Sequence, residues 1–314
     1  MDTRRSLLSR RRLLALTAAA PFVPARAGAQ AGVVRISTTL SEAFAEPFYA
    51  DDLGFYKRAG ISVSITQYSG GETSETAVIT GNADIGITTP IQLSNAVVHN
   101  VPLRLIGFCG EYNSKSPQPA LFVANNSTLR SAKDLEGKTV GVNAVGTMNF
   151  LGVQAWLAQN GVDVAKVKAV EVPFPAIAEA LNRGTIDAGV IGEPFITRAK
   201  GTIRQMATPF EVMGPHWSIS CWFSTVDYIR ANRPLIKRLM DVAYQTAKYA
   251  NAHVAETNPI LAKYSKLSPD TVNAMMHTTF AEAPDPSTCR LPLQYANKYG
   301  ILSRPVTVEE MMTV

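Results

Sequence analysis

The chain has 314 residues, with 30 Lys and Arg against 25 Asp and Glu, a formal charge of +5. Arg4, Arg5, Arg10, Arg11, Arg12, Arg26 and Asp2 all lie in the first 30 residues, so the remainder carries 24 charges of each sign, and the case for nucleic acid or an anionic membrane surface as partner falls away. A hydrophobic content of 46% with 18% charged residues describes a globular chain and excludes a disordered one.

The N-terminus reads in three parts. A basic segment ends in Ser9-Arg10-Arg11-Arg12-Leu13-Leu14, and an apolar run follows from Leu13 to Val23. Small residues then offer cleavage near Ala29 or Ala31. This is the plan of a secretory signal peptide over residues 1–31. The apolar run is about half of the roughly 20 residues a bilayer span needs. The Ser-Arg-Arg-x-Leu-Leu string resembles a twin-arginine export signal, the alternative being an ordinary export signal with extra arginines. Either way, the mature chain is expected to work outside the cytoplasm. Cys109, Cys221 and Cys289 are too few and too odd in number for a disulfide framework. One bridge or three buried thiols both fit.

Beyond the leader, strands and helices alternate. Val33 to Ser37 reads as a strand and Pro47 to Ala59 as a helix stopped by Gly60. Ile61-Ser62-Val63-Ser64-Ile65 alternates as a half-buried strand does. Glu72 to Thr80 is the next helix. In the second half Thr139 to Val142 is a strand, Met148 to Asn160 a helix and Val167 to Val172 a strand. Pro175 to Arg183 is helical and Ala188 to Ile191 a strand. Gly110 to Gln118 and Met213 to His216 read as loops crossing between two lobes. The apolar runs Ala120 to Val123 and Ile219 to Phe223 follow them, and Leu235 to Ala252 is the clearest late helix, expected to pack back on the first lobe.

The two halves echo each other. Gly81-x-x-Asp84-x-Gly86 matches Gly184-x-x-Asp187-x-Gly189, with a Pro after each at Pro90 and Pro194. In each copy a helix ends at a Gly able to take the left-handed cap conformation, and an Asp enters a short apolar strand. Strands alternating with helical patterns predict mostly parallel sheets covered by helices, an α/β class.

These residues resemble a known family. Ala50-Asp51-Asp52-Leu53-Gly54-Phe55-Tyr56-Lys57-Arg58-Ala59-Gly60-Ile61-Ser62-Val63 looks like the opening of the nitrate/taurine/alkanesulfonate group of periplasmic substrate-binding proteins, related to binders of thiamine-pyrimidine precursors. Asp134-Leu135-Glu136-Gly137-Lys138-Thr139-Val140 resembles a second family segment, and the two Gly-x-x-Asp signatures complete the order over residues 33 to 260. The resemblance implies the type II periplasmic-binding-protein fold: two α/β lobes joined by two crossing strands, with the ligand cleft between them. Residues 32–118 and 222–314 would form a discontinuous lobe 1 and residues 119–221 lobe 2. It implies capture of a small organic solute by lobe closure, a monomer in the periplasm, no cofactor, and an ABC permease with its ATPase as partners. A solute-loaded partner of a sensor would use the same cleft.

In such sheets a ligand sits beyond the carboxyl ends of the strands, where helix N-termini offer free N–H groups without any basic side chain. The candidate residues are Thr38 and Thr39 after the first strand, Gly70, Gly71 and Thr73 before a helix, and Thr88 and Thr89 after the strand that follows Asp84. In the second lobe they are Gly146, Thr147, Asn149, Phe174 and Glu193, and near the hinge Trp217, as a stacking surface. Plain readings stand beside these. Thr73 and Thr147 are equally helix caps. Phe and Trp side chains such as Phe174 and Trp217 are more often core than binding surface. Glu193 is either a solvated rim carboxylate or a cleft acid that favours a ligand with donors. No Lys or Arg stands at these positions, which weighs against small inorganic anions.

Catalytic signatures are missing: no Gly-x-Ser-x-Gly, His-Glu-x-x-His, Cys-x-x-Cys, phosphate loop or metal-spaced histidines. Fungal thiamine-pyrimidine synthases resemble the same family but carry a Cys-Cys-Cys-Phe-Cys motif, where this chain has Cys221-Trp222-Phe223 with a single Cys. The expectation is a binding protein and not an enzyme.

Overall fold

The computed structural model describes residues 32–39, 41–143 and 147–313. The leader, its cleavage site and Gly146 lie outside the described residues. Gly32 to Val314 forms one compact unit.

Thirteen strands are present among the described residues: β1 Val34–Thr39, β2 Val63–Tyr68, β3 Ile85–Thr88, β4 Leu103–Phe108, β5 Gly110–Asn113, β6 Ala120–Ala124, β7 Thr139–Val142, β8 Lys168–Glu171, β9 Ala188–Ile191, β10 Ile203–Ala207, β11 His216–Ser218, β12 Cys221–Thr225 and β13 Thr279–Phe280. One sheet runs β2-β1-β3-β12-β4; a second, read from its far edge, runs β8-β7-β9-β6-β10. The two orders match position for position. In each, three parallel strands are followed by one antiparallel strand, β12 or β6. That strand is supplied by the chain just after it has crossed from the other lobe. Each sheet is therefore completed by the passage that links it to its twin.

The repeated Gly-x-x-Asp motif has a structural cause in both copies. Gly81 and Gly184 close their helices with φ of 73° and 69°. Asp84 Oδ2 accepts the Arg35 N–H at 2.8 Å while its own N–H donates to the Arg35 carbonyl. Asp187 repeats the exchange with Thr139, also at 2.8 Å. Each Asp thus stitches the entry of one strand to its parallel neighbour, satisfying a backbone donor that the short ladder leaves unpaired.

Several boundaries differ from expectation. The first helical stretch is two helices, Glu46–Asp52 and Phe55–Arg58, parted at Leu53-Gly54. The crossings are not loops throughout. β5 and β11 pair antiparallel, with Trp217 opposite Tyr112 and Ser218 opposite Glu111, and β13 joins β5 from its other side. The hinge is therefore a three-stranded sheet fed from three places in the sequence. β4 and β10 have no counterpart in the sequence reading.

The helix Arg233–Ala252 packs Ile236, Leu239, Met240, Ala243 and Ala247 against Phe48, Tyr49 and Trp222 on the first lobe. The helix Ser287–Lys298 does something else. It touches Pro90–Val98 in lobe 1, β11 in the hinge and Met148–Gln159 in lobe 2, where Gln159 Nε2 donates to Tyr295 at 3.1 Å. All three cysteines are buried and unpaired. Among the described residues, no helix is long and apolar enough to cross a membrane.

Candidate functional site

On the first lobe, the carboxyl end of β3 and the start of the helix Gly71–Ile79 converge. Thr89 caps the following helix by accepting the Gln92 N–H at 3.1 Å. Thr88 is fully buried, and its hydroxyl lies 2.8 Å from Glu75 Oε1 and 3.2 Å from Gln92 Oε1. A Cβ on Gly71 would stand 2.3 Å from Gln92 Oε1 and 2.8 Å from Thr88 Oγ1, so with glycine the main chain lies directly against these oxygens, and a side chain would have to push the Gln92 amide aside. Gly70, extended with open space around it, has no such constraint. Thr73 is a local cap: its hydroxyl accepts the Gly70 N–H at 3.1 Å. Thr38 turns inward, fully buried, and donates to the Phe44 carbonyl at 2.6 Å. Thr39, 7% exposed, remains at the mouth of β1.

On the second lobe, Asn149 and Thr147 lie at the start of Met148–Gln159, with Asn149 Nδ2 donating to Asn143 Oδ1 at 2.7 Å. Phe174 begins the helix after β8 and Phe195 the one after β9. Both are half-buried, and their rings stack at 6.2 Å and 18°. The sequence marks the loop Gly192-Glu193-Pro194-Phe195 as a cleft loop, the counterpart of Thr88-Thr89-Pro90, but singles out Glu193 and not Phe195.

Trp217 is corrected. It is 1% exposed and stacks on Tyr112 at 5.1 Å within the core that runs through the hinge, so it offers no face to a solute. The pairing of β5 with β11 turns it inward. Glu193 fits neither alternative cleanly. It is half-buried and spends its carboxylate on protein groups: Oε2 accepts the Thr197 N–H at 3.0 Å, while Oε1 takes the Thr197 hydroxyl and the Met276 N–H at 3.2 Å. Met276 belongs to the segment that leads into β13, so this bond crosses from lobe 2 to the hinge side of lobe 1.

The neighbouring residues reinforce the crossing. Gln118 Oε1 accepts the Glu193 N–H at 3.2 Å, and its Nε2 donates to Thr278 at 3.1 Å. Glu42 binds the Thr278 N–H at 2.9 Å and His277 Nδ1 at 2.7 Å. Burial alone would lower the His277 pKa; the bond to Glu42 and the negative charge of Glu42 and Glu193 outweigh it and raise the value. The sign follows. Protonated His277 stabilises this clasp fully below its unfolded pKa near 6.5, and the contribution fades as pH rises through the higher folded value. Glu193→Ala removes a charge-assisted cross-lobe bond worth about 1.5–3 kcal/mol. The expected result is a larger radius of gyration in solution scattering of the solute-free chain; an unchanged profile would mean that the bond does not hold the lobes together.

The profile of the family described as NMT1/THI5 like matches residues 41–257. The chain belongs to this family. A relative, the taurine-binding periplasmic protein of Escherichia coli (strain K12), is 25% identical over 235 residues, covering 74% of this chain and 69% of that one. The crystal structure of the periplasmic aliphatic sulphonate binding protein SsuA from Escherichia coli superposes with a TM-score of 0.74 at 17% identity, covering 90% of this chain and 92% of that one. The desulfurization enzyme DSZB shares the fold at a TM-score of 0.64 and 16% identity, over 90% of this chain and 96% of that one. The family member described here thus has the two-lobed periplasmic-binding-protein fold, on which both binding and catalysis occur.

Proposed function

We propose that the processed chain is the periplasmic solute-binding component of an ABC importer. Its lobes, residues 32–118 with 222–314 and residues 119–221, close on a small organic solute, sulfonate- or taurine-like or aromatic and heterocyclic. The observation that carries this reading is the duplicated sheet plan, whose strand ends bear polar groups on one side and the Phe174–Phe195 pair on the other. Thr39, Gly70, Gly71, Thr89, Asn149 and Phe174 stay in the site, with Thr88 buried behind it as support; Phe195 joins it, and Thr38, Thr73 and Trp217 leave it. Export by the twin-arginine route, a monomeric state, absence of a cofactor, and a permease with its ATPase as partners belong to the same reading.

The binding reading is favoured over catalysis by the state of Cys221. It is fully buried, and burial, with Cys289 and Glu75 adding to it, pushes its thiol well above the usual range, so no thiolate nucleophile stands there. A thermal-shift screen of sulfonates, aromatic acids and pyrimidines on the processed chain tests the proposal. A true solute at one hundred times its Kd should add about 2.7 kcal/mol of stability. No stabilisation by any class, or turnover of a bound compound, would overturn it.

A further inference from the structure

Glu75 lies one turn inside Gly71–Ile79. Helical side chains lean back toward the N-terminus, which brings its carboxyl up to the end of β3 and to Thr88. Around it the oxygens outnumber the protons. The Thr88 hydroxyl has one proton and two acceptors in reach, Glu75 Oε1 and Gln92 Oε1. The Thr89 hydroxyl also lies against Gln92 Oε1, at 3.1 Å. Turning the Gln92 amide over would supply a donor to Thr88 but would still leave Glu75 Oε2 without a bond to any described residue.

None of the ion pairs among the described residues involves Glu75. The charged and titratable groups around it are Glu72, on the same helix, and the buried Cys221 thiol at the start of β12. Glu75 is half-buried, with Oε1 held by Thr88, no cation beside it and Oε2 left open, so one carboxylate oxygen beside the proposed cleft is free to take a donor from outside the fold.

We propose that Glu75, backed by Thr88 and Gln92, recognises a nitrogen-bearing head on the solute, an ammonium or amino group. The inference rests on the cleft reading above and narrows it. Burial raises the Glu75 carboxyl to about 7, with the Thr88 bond pulling it down and Glu72 pushing it up, so the carboxylate form grows as pH passes through neutrality. Binding of a cation should strengthen over the same interval.

The experiment is calorimetry on matched pairs that differ in one group: taurine against ethanesulfonate, 4-aminobenzoate against benzoate, and 4-amino-2-methylpyrimidine against its 4-hydroxy analogue. In a pair that binds, the amino member is expected to bind about tenfold more tightly. Glu75→Gln should erase that preference while leaving the amino-free member unchanged, which a merely structural role would not do. For taurine the preference should grow from pH 6 to pH 8. Equal affinity within a binding pair, or a preference that survives Glu75→Gln, overturns the inference and leaves the importer reading standing. Binding of no pair overturns both.

Discussion

Stability of the folded chain should fall steadily as pH rises from 5 to 8, and Glu46→Gln should flatten that decline. Glu46 opens its helix but is fully buried, so solvent cannot hydrate its charge. Its Oε2 accepts the Trp222 indole N–H at 2.8 Å, while Oε1 has no hydrogen-bond partner in that position. Burial raises the carboxyl to about 8; the Trp222 bond and the neighbouring Cys109 thiol lower it, and Glu111 raises it further. The folded state therefore holds a proton that the unfolded chain releases above about pH 4.5. One such proton costs about 1.4 kcal/mol of stability per pH unit across that window, and the loss levels off above pH 8. Glutamine keeps an acceptor for Trp222 and never ionises. Chemical denaturation of both proteins at several pH values checks this. Equal slopes would show that Glu46 is not the group that holds the proton. Glu75 and His277 weaken the fold in the same direction but remain in both proteins, so the difference isolates Glu46.

The second large effect is expected at Gly110. A Cβ there would meet the Ala43 carbonyl oxygen at 2.5 Å, its Cα at 2.7 Å and its Cβ at 2.8 Å, and main chain cannot swing aside as a side-chain tip can. Gly110 is also where the crossings are tied together. Its N–H donates to Ser220 Oγ at 2.8 Å, its carbonyl accepts from Ile219 and Ser220, and Ser220 in turn donates to Ala43. Gly110→Ala should cost about 3 kcal/mol, the upper part of the range for overpacking. Gly70→Ala, at an extended and open position, should change stability by less than about 0.5 kcal/mol. Urea titration of the two variants decides the point, since equal costs would remove the steric argument.

Much of the fold is written locally. The paired Gly-x-x-Asp strings mark helix ends and strand entries because a left-handed cap and a carboxylate over a free N–H act within a few residues of themselves. The hinge was illegible for the opposite reason. β13 is two residues long and pairs with a strand far away in sequence, so no local period announces it. Trp217 misled because a bulky aromatic beside a crossing looks the same in sequence whether it faces water or Tyr112. Glu75 was hidden differently. An acid in mid-helix normally signals a solvated face, and only the reach of its side chain back to Thr88 shows otherwise. The one sequence trace of it is the Gly70-Gly71 step a turn earlier, which lets the main chain come close.

The helix Ser287–Lys298 has a mechanical consequence. Under a rotation, only points near the axis keep their neighbours, and this helix has neighbours on both sides of the pivot. The swing between the halves must then turn about a line passing close to it, with sliding suppressed and travel greatest at the rims furthest away. Shortening the chain before residue 287 would remove that bearing, and with it the last helix, Val308–Met312, from its place against β4.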